Sequence, residues 1–372
     1  MSDRWDPAAF KARIDGTLRD FLAEEADRLL DIDDDLKPVA EQLQAAARHG
    51  KRLRAAFCYW GWRAAGQPDS DALVRAAASM ELVHAAAIVH DDLIDGSTLR
   101  HGLPTAHLAL EAALAGRPRE TAATARSLAM LVGDHLMALA GELFATSGLP
   151  AAYLSRARPL WATLARELIA GECLEILRTG TTPDLGASLQ VIRYKTAKYT
   201  VEQPLLIGGL LAGAGPALRE GYSAYGLPLG EAFQLRDDLL GLFGSSSRTG
   251  KADLDDLRTR RPTALLAETW RAADPEGRRL LARILEGTEG TEGTEGTEGT
   301  EGTETGETGE TGEGDLAAAR ALMARVGAPE RIEHLIRGRV EQAVRTLDEL
   351  DIPPYAHRVL TDLARRATDR LH

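Results

Sequence analysis

Residues 85–95 read Ala-Ala-Ala-Ile-Val-His-Asp-Asp-Leu-Ile-Asp, an apolar run that ends in three carboxylates. Helical spacing puts Asp91 and Asp95 four apart and Asp92 and Asp95 three apart, so the three charges crowd one end of one helix. Like charges at that spacing destabilise a helix, and at the end of a buried helix they also lose hydration. Compensation must come from elsewhere, from basic side chains or from a divalent cation. Acidic triplets are common on solvated helix faces, so this one acquires meaning only from the rest of the chain.

Outward from this stretch, nearly every segment has helical character. Ala, Leu, Arg and Glu dominate, and apolar residues recur at spacings of three and four. The pattern predicts helices over 8–31, 35–48, 51–66, 70–95, 104–115, 118–144, 150–178, 185–213, 216–243, 261–285, 315–326, 329–350 and 354–371. No repeated strand–helix–strand pattern occurs, which excludes a doubly wound fold. The class is all-α, and residues 1–372 read as one domain.

The formal charge of −12 says little about partners. Ten of the 56 acidic residues lie in 286–314, EGTEGTEGTEGTEGTEGTETGETGETGEG, and the remaining 46 nearly balance the 44 basic ones. No basic stripe marks a nucleic-acid partner. The repeat is glycine-rich, strongly charged and free of apolar residues, so it is expected to be a disordered loop expanded between two helices. Cys58 and Cys173 are too few and too far apart for a disulfide framework. The N-terminus lacks the apolar core of a signal peptide, and the run Leu205–Gly215 is too short to span a bilayer. The reading is a cytoplasmic protein with no stable membrane anchor.

A second acidic pair answers the first. In Gly230–Gly241, GEAFQLRDDLLG, Asp237 and Asp238 again follow an apolar helical stretch. Two such sites on separate helices can face each other across a cavity and share several Mg²⁺ ions with phosphate oxygens. Cations stand in complementary places: Lys51, Arg52 and Arg54 after Gly50 at a helix start, Arg100 after the first cluster, Lys195 before the second and Lys251 after it. His84 lies seven residues before Asp91, on nearly the same face. Together these residues describe a pocket in which Mg²⁺ bridges carboxylates to diphosphates.

These blocks resemble the trans-isoprenyl diphosphate synthases, or polyprenyl synthetases, most of all bacterial geranylgeranyl diphosphate synthases. The matching segments are GKRLR at 50–54, Glu81–Asp95, RHGLPTAH at 100–107, Gly133-Asp134, GECLEI at 171–176, Lys195-Thr196, Gly230–Gly241 and Gly250–Thr263. The resemblance implies a helical bundle around a deep central cavity, usually in a homodimer. It implies that Asp91 and Asp95 ligate two Mg²⁺ ions and Asp237 a third, with Asp92 and Asp238 in support. It assigns the allylic diphosphate to Arg100, Lys195, Gln234 and Lys251, and isopentenyl diphosphate to Lys51, Arg54 and His84. Thr196 and nearby carbonyls would stabilise the allylic cation.

Three positions depart from the family pattern. His101 stands where a second arginine is usual, at a position associated with isopentenyl diphosphate. Glu172 replaces a glutamine, and Gly241 replaces the third aspartate of the second motif. The implied activity is chain elongation. A terpene cyclase on the same scaffold and a non-catalytic partner subunit are the alternatives.

Product length is expected to depend on the face of the helix upstream of Asp91. Ala87 sits one turn back, Ala86 beside it and Val83 a further turn down. A large aromatic here would act as a floor. Two alanines leave the upper cavity open, which favours a C20 product, with a longer polyprenyl chain as the alternative.

Overall fold

The computed structural model describes residues 5–116, 121–244, 254–286 and 312–368. Lys251 and all but the ends of the Glu/Gly/Thr repeat lie outside the described residues.

The chain begins as α1 (Pro7–Ile32), capped by the Asp6 carboxylate, which accepts from the backbone N–H groups of Ala8 and Ala9. Pro7 at the first helical position removes one donor that would otherwise go unpaired. After α2 (Lys37–Ala46), α3 (Leu53–Ala64) starts two residues later than the periodicity predicts, because Arg52 is left-handed at φ 57°. The opening stretch falls at the end of α4 (Asp71–Ile94), whose N-terminus is capped by Ser70.

Leu99–Arg100 and Leu103–Pro104 then pair as a minimal antiparallel hairpin, β1 and β2. The chain continues through α5 (Ala106–Ala113), α6 (Thr121–Ala145) and α7 (Ala151–Arg178). The predicted helix over 185–213 is continuous but changes winding: α8 (Leu185–Val191), a π-helical segment (Ile192–Glu202), then α9 (Gln203–Ala212). Next come α10 (Pro216–Phe243) and the single turn α11 (Asp255–Arg258).

The predicted helix over 261–285 is in fact two, α12 (Ala264–Ala272) and α13 (Pro275–Glu286). Ala273 is extended at ψ 144°, and Pro275 disfavours helical backbone at Asp274 before it. The chain ends in α14 (Glu313–Arg325), α15 (Ala328–Asp348) and α16 (Pro354–Thr368).

The fold is therefore all-α, as the residue pattern predicts. Helix α4 is the central element, packed against α6, while α3 crosses α9 and α10 lies on α15 and the π-helical segment. Asp71–Ile94 and Thr121–Ala145 are each long and apolar enough to cross a membrane. They pack on each other here, with 72% of the α4 window buried inside the bundle. The larger core runs through α1, α3, α4, α6, α7 and α9; a second one joins the end of α10 to α12–α15. Between them opens a cavity of about 1210 Å³, into which the end of α4 projects.

Candidate active site

All three carboxylates at the end of α4 meet cations. Lys195 Nζ donates to Asp91 Oδ1 at 2.8 Å. Arg100 holds Asp92 through its Nε, 3.0 and 3.3 Å from the two carboxylate oxygens, and its Nη2 reaches Asp91 at 3.4 Å. Arg261 pairs with Asp95 and lies 3.7 Å from Asp91. The repulsion built into the helix end is offset by basic groups from the hairpin, the π-helical segment and the turn before α12. Asp92 is buried and serves to orient Arg100, whereas Asp91 faces the cavity and is shared by all three cations.

Gly171 brings the opposite wall into range. A Cβ at that position would lie 2.3 Å from Lys195 N, so α7 touches the π-helical backbone directly. This contact places Lys195 against Glu172 at 2.9 Å and against Glu175 as well. Burial would lower the Lys195 pKa, but Asp91, Glu175 and Glu172 outweigh it and hold the ammonium above its ordinary value. Burial pushes the Glu172 carboxyl up, although Lys195 opposes the shift.

At the next residue, Thr196 Oγ1 donates to Gln234 Oε1 at 2.9 Å, and Gln234 Nε2 donates to Asp238 Oδ1 at 2.7 Å. Asp238 is buried, and burial together with the Asp256 charge raises its pKa well above the carboxylate range. Asp237 is half-buried and lines the cavity. Gly241 leaves room that a neighbour takes up: a Cβ there would lie 3.2 Å from Asp256 Oδ2. A carboxylate from α11 thus approaches the place where the family pattern has its third aspartate.

The donor set fits a hard divalent cation. Ligand oxygens of Asp91, Glu172 and Glu175 all lie within 4.8 Å of one another, an oxygen-only set that suits Mg²⁺, and all three also converge on Lys195 Nζ. This grouping differs from the sequence expectation, which paired Asp91 with Asp95. Asp95 is the C-cap residue of α4, turned towards Arg261.

Lys51, Arg54, His84 and His101 also line the cavity. Arg54 is buried, stacks 4.3 Å from the Tyr199 ring centroid, and donates from Nη2 to Tyr199 Oη (2.6 Å) and Thr200 Oγ1 (2.9 Å). Tyr199 Oη in turn lies 3.2 Å from His84 Nδ1. Burial first, then the Arg54 and Arg100 charges, push the His84 pKa well down, so this imidazole is neutral at pH 7.

Arg52 plays a structural part. It pairs with Asp15 at 2.7 Å and donates to the backbone carbonyls of Ala47 and His49.

Of the positions expected to face the growing tail, Ala87 lines the cavity. Ala86 and Val83 are buried in the larger core instead and are absent from the described lining.

Sequence reasoning did not single out Arg261, Glu175, Asp256 or Tyr199. Arg261 meets Asp95 from 166 residues away, and its local sequence, Arg260-Arg261-Pro262, has no periodicity to mark it. Glu175 is three residues from Glu172, on the same face of α7. That spacing is a signal the sequence does carry.

The polyprenyl synthetase profile matches residues 37–297. The (2E,6E)-farnesyl diphosphate synthase of Mycobacterium bovis is 32% identical over 324 residues, covering 86% of this chain and 80% of that one. The octaprenyl diphosphate synthase of Escherichia coli is 30% identical over 239 residues, 64% of this chain and 67% of that one. A crystal structure of geranylgeranyl pyrophosphate synthase from Corynebacterium glutamicum, complexed with isoprenyl diphosphate and magnesium, superposes with a TM-score of 0.88 at 31% identity. It covers 98% of this chain and 100% of that one. The chain belongs to the polyprenyl synthetase family.

Proposed function

We propose that this protein is a Mg²⁺-dependent trans-prenyltransferase that joins isopentenyl diphosphate to an allylic diphosphate, with geranylgeranyl diphosphate (C20) as its product. One observation carries the reading: a single cavity of about 1210 Å³ is lined by the carboxylates Asp91 and Asp237 and by the cations Lys51 and Arg54. That volume exceeds a usual small-ligand pocket of roughly 300–1,000 Å³ and leaves room for two substrates.

Family resemblance assigns the metal ions, three with substrate bound, to Asp91, Asp95 and Asp237 with Asp92 and Asp238 in support; the geometry adds Glu172 and Glu175 beside Asp91, while Asp95 would have to leave Arg261 to take part. Bound Mg²⁺ would supply Lewis-acid assistance to a departing diphosphate. Arg100, Lys195 and Gln234 orient the allylic diphosphate, and Lys251 is assigned to the same task by family resemblance. The C1–O bond breaks and its electron pair leaves with the diphosphate. Thr196, which lines the cavity, and nearby backbone carbonyls would stabilise the resulting cation. Lys51, Arg54 and His84 hold isopentenyl diphosphate so that its double bond attacks C1. The proton then lost goes to the released diphosphate, so no side-chain base is needed.

Omitting each substrate in turn tests the reaction. Condensation product should form only when both are present. Hydrocarbon or alcohol from the allylic substrate alone would identify a terpene cyclase, and no product at all a non-catalytic subunit.

Ala87 supports the C20 assignment because it presents only a methyl group to the cavity. The expected result for Ala87→Phe is a product shifted towards C15, read by chromatography of the dephosphorylated alcohols. An unchanged product distribution would place the floor elsewhere. Exposed Leu99, Leu103, Met130 and Leu131 form apolar surface on the hairpin and α6, which supports a homodimer. The reading is completed by one domain over 1–372, a dispensable 286–314 repeat and a cytoplasmic location.

A further inference from the structure

Two turns meet beside Lys51 in the cavity lining, and each presents a histidine. His101 and Gly102 form the two-residue turn of the hairpin, with φ of 53° and 76°. Positive φ at both central residues is the type I′ pattern that matches strand twist, and among non-glycine residues histidine is one of those that adopt it more readily. Facing it is the turn between α2 and α3, where His49 precedes Gly50 (φ 133°) and Arg52 (φ 57°).

The Arg52 side chain fixes this second turn. Its Nη1 donates to the His49 carbonyl at 2.9 Å and its Nη2 to the Ala47 carbonyl at 2.6 Å, while its Nε pairs with Asp15. The imidazole centroids of His49 and His101 stand 6.0 Å apart, inclined at 50°, and both rings line the cavity beside Lys51. Left-handed backbone in non-glycine residues costs free energy and persists where the surroundings over-determine it, often at binding sites. Here the strained residues are those that hold the two rings together.

We propose that His49 is a binding residue for the diphosphate of isopentenyl diphosphate, acting with His101 as a two-imidazole clamp. The inference rests on the proposed condensation. A guanidinium offers two N–H donors in one rigid fork, and a single imidazole cannot replace it. Two imidazoles from opposed turns can. At this separation one phosphate oxygen can accept from both rings at about 2.8 Å. Burial, then the charges of Arg100 and His49, lower the His101 pKa against the pull of Asp92, so in the free enzyme this ring adds little repulsion to a corner already holding Lys51, Arg54 and Arg100. Each imidazole can present an N–H donor to the oxygens of an arriving diphosphate.

Steady-state kinetics on the full chain test this, varying isopentenyl diphosphate at saturating allylic substrate and the reverse. Loss of one hydrogen bond to a charged group should raise the KM for isopentenyl diphosphate about tenfold in His49→Ala. kcat and the allylic KM should stay within about twofold of wild type. His49→Gln, which keeps an N–H donor, should lose less. His101→Arg placed on His49→Ala should restore the KM, because the fork then supplies both donors.

An unchanged KM in His49→Ala, in a wild-type enzyme that condenses both substrates, would overturn the clamp alone. Equal rises in both KM values would also overturn it by showing a general disturbance. A wild type that makes no condensation product would overturn the clamp together with the proposed function.

Discussion

Asp91→Ala should lower kcat about 10²–10³-fold, with near-native helical content and melting temperature. Asp91 is the one carboxylate at the end of α4 that three cations share, and it belongs to the oxygen cluster that fits a divalent ion. Its loss removes both a proposed metal ligand and the partner that aims Lys195 into the cavity. The fold has little reason to suffer. Lys195 keeps Glu172 and Glu175, Arg100 keeps Asp92, and Arg261 keeps Asp95. The apolar face of α4, including Leu82 and Val89, is untouched. Turnover assays with circular dichroism on the same preparation decide the matter, and wild-type kcat in a folded variant would remove Asp91 from the site.

Gly208→Ala should be destabilising by roughly 3 kcal/mol or more, near or beyond the upper range for overpacking a well-packed core. A Cβ at Gly208 would lie 1.9 Å from the Cys58 carbonyl oxygen, and one at Gly61 would lie 2.0 Å from that of Leu205. These reciprocal contacts let α3 and α9 cross backbone to backbone. Alanine gains about 1 kcal/mol in helix propensity over glycine, too little to offset moving two buried helices apart. Gly338→Ala is the control. That glycine is exposed on α15 with nothing within 4 Å of an added Cβ, so the same propensity gain should appear as a small stabilisation. Chemical denaturation of the two variants measures both signs. A Gly208→Ala protein as stable as wild type would contradict the described crossing.

How much of this was legible beforehand follows from how local each signal is. The helices show in the sequence because apolar spacing is written within each segment, and caps such as Asp6 and Ser70 stand beside the helices they start. Boundaries slipped where backbone geometry overrode periodicity, at left-handed Arg52 and at the extended Ala273 before Pro275. The acidic ends of α4 and α10 were legible as places where unpaired like charges demand compensation. Which cation compensates which carboxylate was not. Arg261 reaches Asp95 through tertiary folding alone, and Arg52 looked like its neighbours Lys51 and Arg54 until its carbonyl and Asp15 partners were visible. The tail-facing positions were legible only in part. Helical spacing groups Ala86 with Ala87, but packing buries one and opens the other to the cavity.

The central claim is that this cavity makes a carbon–carbon bond between two diphosphate substrates with the help of a divalent ion. Labelled isopentenyl diphosphate incubated with unlabelled farnesyl diphosphate and the pure protein tests it directly. Label should appear in a C20 diphosphate with Mg²⁺ present and vanish when EDTA is added in excess. Label that remains entirely in isopentenyl diphosphate with Mg²⁺ and allylic substrate present, or product formation indifferent to EDTA, would contradict it.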